Sequence, residues 1–216
     1  MQAAPVAAAQ HAPSLSAVAV SRTTAPEGAG KAGYDSEVAI AWFELSLELV
    51  TETPGFTPPV ASRAFGYLGV TLYETVQPGM DGYRSLAGQL NKLYWLPRPH
   101  GWADYHWPSA ANAALASMMR MLFATTNDEN QQAIDALEQR FAERYQANVE
   151  ATTYRRSVAW GLTMADAIYT WSMTDGGHEG YLRNFSDTYA APVGTGLWVP
   201  TPPGYSAALQ PYWVEN

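Results

Sequence analysis

Residues 152–173 read TTYRRSVAWGLTMADAIYTWSM and have the apolar period of a long α-helix. Large apolar side chains recur every three or four positions along one side of this segment: Trp160, Met164, Ala167 and Trp171. Gly176, beyond the last of them, is typical of a residue that ends a helix. Side chains at this spacing are more often core than part of a cofactor site. We therefore expect one face of this helix to be buried.

A first helix is predicted between a cap at Asp35 or Ser36 and the breaker Pro54-Gly55. Its expected buried stripe consists of Ile40, Phe43, Leu47 and Val50, widened by Trp42, Leu45 and Leu49. A row of carboxylates occupies another face: Glu44, Glu48 and Glu52. Such a row could bind a metal, but on a single helix it is typical of a solvated face. No Glu-x-x-His motif accompanies it, so a di-iron bundle is not indicated.

Three more helices are predicted in the middle of the chain. The second runs from about Val60 to Val76, and Gly66 and Gly69 would let another backbone approach it closely. The third opens at Ser109, and Asn127 caps the fourth. No strand pair and no repeat of fixed period is visible. The fold class is therefore all-α, a helical bundle of about five main helices with long aromatic, Pro/Gly-rich loops.

Composition excludes several classes of protein. The chain has 216 residues, 47% hydrophobic and 12% aromatic, which is enough to bury a large core. Its net charge of −8 argues against nucleic acid or an anionic membrane as the main partner. The longest apolar run has six residues, so no membrane span is expected. The absence of Cys excludes disulfides and thiolate chemistry and fits either redox compartment.

The chain divides into three parts by composition. Residues 1–33 are rich in Ala and are expected to form a flexible arm, 34–176 the helical bundle, and 177–216 an extended tail. A signal peptide is not indicated, because no positive residue follows Met1 and Pro5 and Pro13 interrupt the apolar region. A chain trimmed just after a signal sequence would look the same. Localisation stays open, with an extracytoplasmic site slightly favoured.

Two long loops contain most of the residues outside helices. Residues 77–108 hold six aromatic residues and two of the four His, and residues 174–216 hold seven aromatic residues. Long aromatic loops are usually functional or packed over the edge of a core. The tail is too apolar to remain in water, so we expect it to pack on the bundle or on a partner. Its large apolar side chains are Trp198, Val199, Tyr205, Leu209, Tyr212 and Trp213.

Four loop residues are candidates for binding a substrate: Arg98, His100, His106 and Asp187. Asp104-x-His106 with His100 could bring two imidazoles and a carboxylate together, but loop spacing fixes no geometry. A hydrogen-bonded His is the default for such a position, so no metal ligand is assigned. His178-Glu179 is expected to cap or salt-link a turn. No Gly-x-Ser-x-Gly and no Gly-rich phosphate loop is present.

Short motifs follow one another in a fixed order from about Gly33 to Trp213. They are Ala41-Trp42, PVASRAFGY at 59–67, Leu72-Tyr73-Glu74, AANAA at 110–114, Asp166-Ala167-Ile168 and WVPTPPGY at 198–205. In this order they resemble the N-terminal half of bacterial vanadium-dependent haloperoxidase-like proteins, of the type-2 phosphatidic acid phosphatase superfamily. The resemblance implies a helical bundle built as two related halves.

The resemblance also implies a site for phosphate or for a vanadate in its place. There Lys and Arg neutralise the oxyanion, Ser and a Gly amide donate hydrogen bonds, and two His act as nucleophile or vanadium ligand and as acid or base. The family motifs are Lys, six residues, Arg-Pro; then Pro-Ser-Gly-His; then Arg, five residues, His. This chain departs from all three. Five residues separate Lys92 from Arg98-Pro99, one fewer than in the motif, and Pro108-Ser109 is followed by Ala110-Ala111 where Gly-His should stand.

Two functions from different classes remain open. The chain is either the N-terminal structural half of such an enzyme, without its catalytic residues and inactive alone, or a free-standing helical domain that self-associates or binds a protein. In the first case vanadate is implied for the full-length family, and no cofactor is expected in this chain. The expected partner is a second copy or a C-terminal catalytic half. The sequence does not distinguish halide chemistry from phosphate chemistry for the full-length protein.

Overall fold

The chain is all-α, as its sequence predicts. A computed structural model describes residues 33–213, in which there are five α-helices and no strands. Two single-turn 3₁₀ helices, Gln77–Gly79 and Gly180–Leu182, follow the second and fifth α-helices. The α-helices are α1 Glu37–Glu52, α2 Pro58–Val76, α3 Trp107–Leu122, α4 Asp128–Asn148 and α5 Ala151–Ser172. The flexible arm expected at residues 1–33 falls, apart from Gly33, outside the described residues.

Helix α3 is the centre of the bundle, and the other four α-helices pack around it. It is buried on almost every side and is rich in alanine: Ala110, Ala111, Ala113, Ala114 and Ala116. Small side chains let neighbouring backbones come close, and Leu115, Met118 and Met119 fill the remaining space. A helix that is apolar all round belongs in the interior, which sets the layout of the bundle.

Helices α3 and α5 approach each other closely at Gly161 of α5. A Cβ at this position would collide with the carbonyl oxygen of Ala110 on α3. From the sequence we expected another backbone to approach α2 closely at Gly66 and Gly69, and for the described residues that prediction is wrong. A Cβ at either of these glycines would meet no atom within 4 Å, because this side of α2 faces away from its neighbours.

Helix α1 fully buries only the part of its predicted stripe that contains Trp42, Leu45 and Leu49. Its buried residues are Val38, Trp42, Leu45, Ser46 and Leu49. Ile40 and Leu47, expected in the stripe, are 53% and 58% exposed. Because the helix is apolar around most of its circumference, spacing alone selects no face. The glutamate row is exposed, as expected for a solvated face.

The helix ends largely follow the capping and breaking residues. Asn127 caps α4 as predicted, because its side chain accepts a hydrogen bond from the amide of Asn130. Ser109 does not open α3. The cap is His106, three residues earlier, and Ser109 lies buried in the first turn. The start of α3 was predicted too late for two reasons: an imidazole is an unusual capping acceptor, and Pro108 lies in the first turn of the helix.

After α5 the chain returns to the α1–α2 turn and then leaves it. Asn184 contacts Gly55 and Thr57 in that turn, and a single antiparallel bridge joins Phe185 to Leu209. We call residues 186–208, between these contacts, the tail loop. Most of its side chains are exposed. No described helix is both long enough and apolar enough to cross a bilayer.

Candidate functional site

His106, a sequence candidate for binding substrate, is built into the start of α3. Its Nδ1 lies 2.8 Å from the Ser109 hydroxyl and accepts from the Ser109 amide at 3.3 Å. Its ring packs edge-on against Tyr145 and Tyr34, with ring centroids 4.8 and 5.2 Å away. Burial lowers the pKa of this imidazole below its ordinary value of 6.5. These contacts make His106 a neutral helix cap.

Arg98 and His100 lie in the exposed loop before α3. Both side chains are solvent-exposed, and the His100 ring stacks on Trp102 with centroids 5.5 Å apart. The Asp104 carbonyl accepts a hydrogen bond from Arg156. Among residues 33–213, no three His, Asp or Glu side chains come together as a metal site. The loop therefore does not bring the sequence candidates to one point.

Asp187 lies at the start of the tail loop and is exposed. The pair His178-Glu179 occupies the turn before Gly180–Leu182, where Nε2 of His178 lies 4.0 Å from Oε1 of Glu179. Lys92, on the loop after α2, donates from Nζ to the carbonyl of Thr174 at 3.4 Å. His178-Glu179 and Lys92 therefore serve separate local contacts, and Asp187 is exposed to solvent.

The most enclosed ion pair among the described residues joins Arg63 of α2 to Asp175 after α5. Nε of Arg63 donates to Oδ2 at 2.7 Å, and Nη2 donates to Oδ1 at 3.2 Å and to the Ser172 carbonyl at 2.6 Å. The Tyr67 hydroxyl donates to the same Oδ2 at 2.8 Å. The side chains of Arg63 and Asp175 are only 10% and 22% exposed. This network holds the end of α5 against α2.

The pKa values of this network follow from its contacts. Burial opposes ionisation of Asp175, but hydrogen bonds from Arg63 and Tyr67 outweigh it, so the pKa of the carboxyl lies below its usual range. Burial and then the bond to Asp175 raise the pKa of Tyr67. Arg63 and Asp175 therefore stay ionised, and each charge is neutralised by the other.

One feature of the sequence indicated that Arg63 has a partner. Arg63 is the only charged residue of the PVASRAFGY motif at 59–67. An isolated charge on an apolar helix is expected to have a partner. The partner lies 112 positions away, beyond the reach of any spacing rule.

Other motif residues also make buried polar contacts within the bundle. The indole of Trp42 donates to Asn112 of the AANAA motif, whose amide donates to the carbonyl of Glu138 at 3.0 Å. The carboxylate of Glu74 is buried and accepts from the Ser85 hydroxyl at 2.9 Å and the Leu86 amide at 2.5 Å. Trp42, Asn112 and Glu74, three residues of the resemblance motifs, thus hold helices and loops together.

A tetrahedral oxyanion requires several cations and donors directed at one point. In residues 33–213 these groups point to different places: Arg63 to Asp175, His106 to Ser109 and Lys92 to Thr174. The cavity beside Arg63 has a volume of about 20 Å³, which suits a single water. The described residues therefore do not fit a bound vanadate or phosphate.

A large concave surface lies on the tail loop. An open groove of about 620 Å³ is lined by proline and aromatic rings together with small residues. A second groove of about 250 Å³ lies beside it, and Pro211 borders both. The main apolar residues of the larger groove are Tyr189, Trp198, Pro202, Pro203, Leu209 and Pro211. Such a lining suits an apolar surface better than a charged ligand.

Comparison with known proteins confirms the resemblance seen in the sequence. No family model matches the chain, and no curated protein matches it. A solved structure described as the first bacterial vanadium-dependent iodoperoxidase matches with a TM-score of 0.65 and 28% identity. The match covers 85% of this chain and 43% of that chain. The chain therefore spans less than half the length of the iodoperoxidase and shares its fold over that part.

Proposed function

We propose that this chain is the N-terminal structural half of a vanadium haloperoxidase- or acid phosphatase-like protein and has no catalytic activity alone. The observation that carries the proposal is that residues of the resemblance motifs make structural contacts. Trp42, Arg63 and Asn112 all serve packing contacts between helices. The similarity to an iodoperoxidase over 43% of its chain supports the assignment to one part of a larger architecture.

In this proposal the bundle supplies a rigid support for an oxyanion site on another polypeptide segment. Rigid positioning of catalytic groups depends on buried supporting contacts, which the motif residues provide here. The chemistry implied by the iodoperoxidase is halide oxidation, and the superfamily resemblance adds phosphomonoester hydrolysis. Vanadate or phosphate would bind mainly through residues outside the described part of this chain.

A binding titration tests the proposal without requiring turnover. Orthovanadate is added to the purified chain and followed by ⁵¹V NMR, in which bound vanadate broadens and loses intensity relative to the free ion. We expect a spectrum identical to that of buffer containing an equal concentration of an unrelated acidic protein. Saturable broadening that is lost in Arg98→Ala or His106→Asn would overturn the proposal and place a site in the loop before α3.

The gene offers an independent test. A Pro-Ser-Gly-His segment encoded downstream of Asn216, in the same or a neighbouring reading frame, would supply the family motif that this chain lacks. An immediate stop codon with no such segment nearby would favour the alternative, a free-standing helical domain that associates through its exposed tail. The observation that favours this alternative is the exposure of Trp198, Val199 and Tyr205.

A further inference from the structure

Methionine supplies the most readily oxidised side chains of this chain. The sequence has no Cys and seven Met, of which Met1 lies outside the described residues and the other six lie within them. A thioether that takes up one oxygen atom becomes a sulfoxide, so a flexible apolar side chain becomes a polar one. A polar group without a hydrogen-bond partner is costly in a packed core and is tolerated at the surface. The positions of the methionines therefore decide what an oxidant does to the fold.

Three of the methionines are fully buried in the bundle. Met118 and Met119 of α3 and Met164 of α5 have exposures of 0%, 0% and 1%. All three belong to the hydrophobic cluster in which α3 packs against the other helices. An oxidant reaches such a sulfur only when the core opens, which requires a large part of the free energy of unfolding. The core sulfurs are therefore protected as long as the chain is folded.

Two methionines lie outside the core, each directly after a helix. Met80 follows the 3₁₀ helix Gln77–Gly79, and Met173 follows α5. Their side chains are 39% and 43% exposed, and neither is part of the hydrophobic cluster that the described residues form. Their amide N–H groups donate to the carbonyls of Gln77 and Tyr169, so these backbone bonds do not depend on the side chain. A sulfoxide at either position would face water and leave the packing of the helices intact.

We propose that Met80 and Met173 are the core-sparing oxidation sites of this bundle: peroxide converts both to sulfoxides, and the fold remains intact. The sulfur lone pair of either residue attacks one oxygen of hydrogen peroxide, so that an S–O bond forms and the O–O bond breaks. The sulfur is oxidised by two electrons, and the second oxygen leaves with both hydrogens as water.

The site selectivity rests on the exposure of the two thioethers alone. Its use, which is to spare the core of a protein that handles peroxide, rests on the proposed function. The two can fail separately. Vanadate binding by this chain would overturn the proposed function and leave the order in which the methionines react unchanged.

Peptide mapping by mass spectrometry after timed exposure to hydrogen peroxide tests the selectivity. We expect Met80 and Met173 to gain oxygen at least about tenfold faster than Met118, Met119 and Met164, because reaction in the core has to wait for opening. Fragmentation separates Met164 from Met173, which share the tryptic peptide 157–183. The helical circular dichroism should stay unchanged while the two surface sites convert. In urea, where the chain is unfolded, all five sulfurs should react at similar rates.

The double variant M80L/M173L tests whether oxidation at these sites is harmless. It removes both surface sulfurs with little change in side-chain volume and should keep the wild-type circular dichroism, with and without peroxide. Met121→Leu, at a half-buried position near the end of α3, is the matched control and should retain fast oxidation at positions 80 and 173. Core methionines that react as fast as Met80 and Met173 in the folded chain would overturn the proposal. A peroxide-induced loss of helical signal in wild type that M80L/M173L escapes would overturn it as well.

Discussion

The indole nitrogen of Trp42 lies 2.9 Å from Oδ1 of Asn112, across 70 positions of sequence and in a fully buried setting. The amide nitrogen of the same Asn112 donates to the carbonyl of Glu138, so one side chain joins α1, α3 and α4. Both residues belong to motifs that carry the resemblance to haloperoxidases. The polar groups of Trp42 and Asn112 therefore form hydrogen bonds that hold the helices of the bundle together.

Replacing Asn112 should therefore destabilise the chain. In Asn112→Leu the Trp42 N–H remains buried without an acceptor, which costs about 1–3 kcal/mol. Urea unfolding followed by circular dichroism measures the change in the free energy of unfolding. Asn91→Ala, at an exposed position, should change it by less than about 0.5 kcal/mol. Equal stability of Asn112→Leu and wild type would show that the indole finds another acceptor.

The Arg63–Asp175 pair should be more costly to break than a surface pair. Asp175→Asn leaves the guanidinium largely buried and without its counter-charge, and we expect a loss of about 3 kcal/mol. The control is Glu37→Gln, which removes the exposed ion pair with Arg144 and should cost under about 1 kcal/mol. Chemical unfolding of both variants gives the comparison. Losses of similar size would mean that the buried network contributes little.

Two glycines should respond oppositely to alanine. Gly161→Ala introduces a methyl group into the carbonyl of Ala110 and should destabilise the chain by about 1–3 kcal/mol. Gly66→Ala adds a methyl group in open space within a helix and should stabilise it by about 0.5–1 kcal/mol. Thermal unfolding of both variants decides the matter. A destabilised Gly66→Ala would indicate that another chain covers that side of α2.

Protonation of His106 should weaken the fold. Burial holds the pKa of His106 in the folded chain below 6.5, so the unfolded chain binds the proton more readily. The contribution of the neutral imidazole to the free energy of unfolding is therefore complete above the unfolded pKa and is lost as pH falls through the folded pKa. The free energy of unfolding should therefore decrease between pH 7 and pH 5. His106→Asn keeps a capping side chain and should flatten that slope. An unchanged slope in His106→Asn contradicts the assignment.

The sequence was sufficient for features that depend on near neighbours. Asn127 and the breakers Pro54-Gly55 and Gly176 mark helix ends through local backbone chemistry, so those ends were found. The buried side of α1 was found only in part. Trp42, Leu45 and Leu49 are buried as expected, but Ile40 and Leu47 are exposed although they are equally apolar, because only tertiary packing chooses between these residues.

The site residues show the same limit. Arg98, His100 and His106 are close in sequence, yet His106 turns into the start of α3 while Arg98 and His100 remain in solvent. The contacts that organise the bundle, such as Arg63 with Asp175, link positions more than a hundred residues apart. No spacing rule reaches that far, and only the assembled helices reveal the pair.

A halide oxidation assay tests most directly whether this chain is a structural half without chemistry of its own. Purified protein is incubated with orthovanadate, hydrogen peroxide and iodide or bromide, and halogenation of a phenol dye is followed by absorbance. We predict a rate equal to the protein-free blank for the wild-type chain and for His100→Ala and His106→Ala. A wild-type rate well above the blank that disappears in either histidine variant would contradict the account and assign an active site to the loop before α3.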